Sequence, residues 1–75
     1  MKVKDLIKNL EQFPSDMEVV VQGYEGGCTN ITVIEPISVF AYVNTEWYYG
    51  PHEQVDDYNR GKFKDFPQTK MVYVG

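Results

Sequence analysis

The 75 residues carry a net charge of −4, a single cysteine, a single histidine and no long apolar run. A chain of this length makes one domain, 1–75, that buries only about 60 % of the surface its unfolded form exposes, and it has neither a cysteine pair for a disulfide nor a Cys/His cluster for a structural zinc. Its lysines and arginines sit at the two ends, leaving none between Asn9 and Asn59 against nine acids. That distribution argues against duplex nucleic acid, whose affinity comes from clustered cations neutralising phosphates.

The first element is a helix. Val3, Leu6, Ile7, Leu10 and Phe13 follow the spacing that gathers side chains into one stripe, with Lys4, Asp5, Lys8, Asn9 and Glu11 outside it. The pattern predicts a helix over 3–13, stopped by Pro14, which disfavours helical geometry at the residue before it. This amphipathic opening is neither a signal peptide nor a membrane span, so the expected location is the cytoplasm. Glu18 to Gln22, with three consecutive valines, reads as a strand buried on both faces or at a sheet centre. Gly23-Tyr24-Glu25-Gly26-Gly27 then reads as a hairpin connection in preference to an anion-binding nest, and without a following lysine it is no P-loop.

The run 31–43 is long for one strand, and Pro36, which has no amide to donate, predicts a bend or bulge in it. Beyond the proline, alternation places Ile37, Val39, Ala41 and Val43 on one face and Phe40 and Tyr42 on the other. Lys70 to Val74 is a closing strand. The expected fold is α+β: one N-terminal helix packed on a three-stranded, mainly antiparallel sheet, with a long loop before the last strand. Small size further predicts a homo-oligomer.

The region 44–68 has the pattern of neither helix nor strand. Loops of that length in compact domains are usually functional or disordered, and eight of the eleven aromatics lie between Phe40 and Phe66, a composition opposed to disorder. Within it, Trp47-Tyr48-Tyr49-Gly50-Pro51-His52-Glu53 joins three aromatics, a turn, the one histidine and an acid.

Several segments together resemble a largely uncharacterised family of small bacteriophage and prophage proteins: Val3-Lys4-Asp5-Leu6-Ile7, Pro14 to Val21, the Gly23 to Gly27 turn and, in some members, the Trp47 to Glu53 turn. About half of the chain carries the likeness. It departs from the pattern at Cys28, where an aromatic or polar residue is expected. The resemblance implies an accessory protein of a phage or mobile element that inhibits a host enzyme or sequesters a host defence signal.

Flat ligands stack on rings such as those of Trp47, Tyr48 and Tyr49, at about 1–3 kcal/mol per base. Arg60, Lys62 and Lys64 are suited to face phosphates. The leading expectation is therefore a non-enzymatic protein that sequesters a nucleotide-like small molecule, with Trp47, Tyr48, Tyr49, His52 and Glu53 as one wall and Arg60, Lys62 and Lys64 as the other. An acidic interaction protein that inhibits a host enzyme is the first alternative. A small hydrolase or nuclease using His52 and Glu53 is the second, with no recognisable nucleophile and no metal spacing in its favour. No cofactor, metal or membrane partner is expected. The opposing structural reading is that the loop folds over the sheet and its aromatics cover Phe40 and Tyr42.

Overall fold

A computed structural model describes residues Met1–Gly75, and the fold is α+β. The chain divides into two compact units, Met1–Ile34 with Val74–Gly75, and Glu35–Tyr73.

The first unit opens with α1 (Val3–Leu10). Its start is capped by Asp5, whose carboxylate accepts the Lys2 backbone N–H at 3.2 Å. Asp5 in the first turn and Lys8 in the last complement the helix dipole. The helix ends three residues before the predicted Phe13. Pro14 is the cause: ahead of it the chain tightens into a turn in which the Phe13 amide bonds to the Leu10 carbonyl, three residues back, at 3.1 Å. None of the helix residues is buried.

β1 (Val20–Gln22) and β2 (Cys28–Asn30) form an antiparallel hairpin with Val21 opposite Thr29. The glycines of the connection have separate tasks. Gly26 and Gly27 take positive φ, +134° and +64°, which side-chain-bearing residues rarely adopt. Gly23 has no room for a Cβ, which would collide with the Gly26 carbonyl oxygen. The hairpin reading of this turn holds. The valine strand differs from expectation, since it is two residues shorter and its sole strand partner is β2. Val20 is exposed and Val21 half-buried; a β-branched run suits a pleated surface whether or not anything covers it.

A three-stranded sheet in the order β4-β3-β5 is built from β3 (Ile34–Phe40), β4 (Glu53–Gln54) and β5 (Gln68–Val74), nearly all of it in the second unit. Its membership thus differs from prediction: β4 arises inside the supposed loop, and the valine strand is absent. β4 pairs with β3 only at Val39 and Phe40. Pro36 therefore lies where β3 has no β4 neighbour demanding an amide. Past β5, Gly75 exchanges both backbone hydrogen bonds with Val33, at 2.8 and 3.0 Å, the mark of an antiparallel pair.

Three apolar residues are buried, Val39, Phe40 and Phe63, and all lie in the second unit. Phe40 is 1 % exposed, and its ring packs 5.4 Å from that of Phe63, which in turn meets Phe66 edge-on at 5.8 Å. Phe40 is thus covered by the 44–68 region, through Phe63. Tyr42 is not: it is 77 % exposed and lies beyond the end of β3.

Candidate functional site

The Trp47 to Glu53 turn is fastened at its base by one side chain. The Asn44 amide donates both to the Gly50 carbonyl and to Glu53 Oε1, each at 2.8 Å. Beside it, the Val43 and Asn44 backbone amides both bond to the Pro51 carbonyl, at 2.9 and 3.1 Å. A further bond, from the Tyr49 amide to the Glu46 carbonyl at 3.2 Å, closes a tighter turn within the loop. Asparagine suits this post because one amide group offers two donors in a fixed plane. The result is a short closed loop held from inside.

His52 extends the fastening. Its Nδ1 accepts the Tyr42 backbone N–H at 3.1 Å, which places the imidazole proton of the neutral ring on Nε2. The two rings meet edge-on at 4.6 Å. Tyr42 is the one non-glycine residue with positive φ, at 55°. The histidine bond and ring contact hold this uncommon conformation, which turns the chain out of β3. His52 and Glu53, proposed above as a wall or as a catalytic pair, are thus both engaged in holding the turn together.

The aromatics stand at its tip. Trp47 is 91 % exposed, and Tyr48 and Tyr49 are exposed as well. Trp47 meets Tyr48 edge-on at 5.5 Å, and Tyr48 lies tilted against Tyr49 at 4.9 Å. Edge-on and tilted packing is the arrangement that ring quadrupoles favour. It leaves ring surface free to receive a flat or cationic group.

Arg60, Lys62 and Lys64 lie on a second construction. The Asp56 carboxylate accepts the Asn59 N–H at 2.8 Å while Asn59 Oδ1 accepts the Asp56 N–H at 2.9 Å, a reciprocal pair like a capping box. Asn59 Nδ2 also donates to the Gln54 carbonyl at 2.6 Å, tying the segment to β4. From this start the chain makes helical turns, with the Arg60 amide bonded to the Asp56 carbonyl and the Phe63 amide to the Asn59 carbonyl. Asn59 is the one buried polar residue, and it brings Phe63 onto Phe40. Arg60 pairs with Asp57 at 3.4 Å, and the Lys62 ammonium lies 5.2 Å from the Phe63 ring centre. Lys64 is exposed and makes no ion pair. No hydrogen bond, ion pair or ring contact joins the aromatic turn to Arg60, Lys62 or Lys64.

Asn44 and Asn59, both central to this architecture, carry no motif that sequence reading singled out. The Asp56-x-x-Asn59 spacing is a legible capping signal; Asn44 has only its position at the foot of a loop. Elsewhere, Cys28 is exposed and unpaired, and no three metal-ligating side chains gather. No helix is long and apolar enough to cross a membrane. Comparison with known proteins returns no matching family model, curated protein or solved structure.

Proposed function

We propose that the protein is a non-enzymatic binding protein of the phage accessory type, which grips a basic surface of a host protein through the Trp47 to Tyr49 tip and so blocks it. The observation that carries this reading is the combination of an internally clamped turn with a tryptophan 91 % exposed at its end. Loop rigidity lowers the entropy lost on binding, and tryptophan and tyrosine are the residues most often responsible for interface affinity. The charges around the tip agree. Glu46 adjoins Trp47, and no lysine or arginine lies between Asn9 and Asn59. A partner arginine seated on the Trp47 face gains a cation–π contact beside the Glu46 carboxylate.

The test is capture from a bacterial lysate with the wild-type chain and with Trp47→Ala. Wild type is expected to retain a protein that the variant loses, with retention falling as ionic strength rises. Equal retention by both would remove the turn from the account.

One observation favours a second reading, sequestration of a nucleotide-like small molecule: neither Lys62 nor Lys64 is held by a carboxylate. Isothermal titration with mono-, di- and cyclic nucleotides distinguishes the two. Heat that disappears in both Trp47→Ala and Lys64→Ala supports this second reading and displaces the first.

A further inference from the structure

The first unit has no buried side chain, although it contains the helix stripe and the valine strand. Its apolar residues surround an open groove of about 700 Å³, lined by Ile7 and Leu10 of α1, Phe13 and Met17 of the following turn, and Val19 and Val20 leading into β1. Exposures along the stripe and groove run from 39 % at Leu6 to 57 % at Val3. A patch of this kind on a soluble protein marks an interface. What it accepts is indicated by charge. Glu11 and Glu18 line the groove, and no lysine or arginine does. The helix beside it carries Lys4 and Lys8, with Lys2 at its N-cap, and none of the three forms an ion pair within the chain.

We infer that the groove receives the helix stripe of a second copy of this chain, forming a two-fold dimer with the α1 helices antiparallel. Lys4 and Glu11 are seven residues apart and so lie on one side of the helix, two turns from each other. Antiparallel two-fold pairing centred near Ile7 sets each Lys4 against the partner subunit's Glu11, twice over. A parallel pair sets like against like at every level, which repels. The interface is isologous: one surface supplies both the apolar stripe and its receiving groove. It gives the first unit the cover that its own 36 residues do not provide. This surface is separate from the aromatic turn, so the inference stands whether or not the turn binds a protein.

Analytical ultracentrifugation of the full chain tests it, over a range of protein concentration and alongside Leu10→Glu, Lys4→Glu, Glu11→Lys and the double reversal Lys4→Glu/Glu11→Lys. Wild type sediments as a dimer. Leu10→Glu is a monomer that keeps its helical circular dichroism, because Leu10 is only half-covered within one copy. Each single reversal weakens association on the order of tenfold, since two pairs become repulsive at once. The double reversal restores it, without depending on whether any apolar substitution is tolerated. A wild-type monomer at every concentration overturns the inference, as does a dimer that Leu10→Glu leaves intact. A double reversal no tighter than the single ones overturns the antiparallel pairing.

Discussion

The two units solve the problem of small size in opposite ways. Glu35–Tyr73 closes upon itself: Phe40 and Phe63 stack in its interior, Asn59 satisfies the backbone around them, and Asn44 fastens the one long excursion. Met1–Ile34 with Val74–Gly75 has regular elements and a strong amphipathic stripe, yet no residue of it is fully buried. Periodicity specifies which face is apolar, whereas burial depends on what is available to cover it. Polar clamps let an irregular segment become the better-packed part of the molecule.

The sharpest way to break this contrast is to remove equivalent apolar groups from each unit. Phe40→Ala opens a cavity in the interior and is expected to cost about 3–5 kcal/mol. Ile7→Ala, measured in solution dilute enough to dissociate any dimer, is expected to cost no more than about 1 kcal/mol, because the side chain is already half in water. Urea unfolding of both variants checks the pair. Comparable losses would show that the first unit has an interior after all.

A smaller effect is expected at Asn59. Asn59→Ala strands the Gln54 carbonyl and the Asp56 amide, at about 1–3 kcal/mol by thermal unfolding, and loosens Phe63 from Phe40. Near-ultraviolet circular dichroism should register the loosened aromatics. An unchanged melting temperature and spectrum would deny Asn59 its part in the interior. The smallest effect belongs to Trp47→Ala, within about 0.5 kcal/mol of wild type in stability, since nothing packs on an exposed ring beyond its neighbour Tyr48. Its loss should appear in partner capture alone. If the variant is unstable, the tip is structural.

Much of the scaffold was legible in the sequence because its signals are local. The stripe from Val3 to Leu10, the Gly26-Gly27 turn and the strand ending at Val74 each follow from neighbouring residues. The α+β class followed from their order. Membership of the sheet was not legible, since β4 is two residues long and exists only because Asp56, Asn59 and Val55 fix the chain beside β3. The place of the aromatic turn was legible, but its internal clamp was not: an asparagine that bonds to residues six and nine positions away leaves no periodic trace. Arg60 forms an exposed ion pair with Asp57, which its spacing alone does not announce.

At the centre of the account lies a turn already ordered before it meets a partner. Backbone hydrogen exchange of the free protein measures this most directly, at the amides of Val43, Asn44 and Tyr49, in wild type and in Asn44→Ala. In wild type these amides are predicted to be protected, with Val43 and Asn44 exchanging at rates near those of the sheet. Asn44→Ala is predicted to accelerate all three while the Phe63 amide stays slow. Exchange in wild type at the rates of an unstructured chain would contradict a preformed turn, and with it the proposal that its rigidity serves binding.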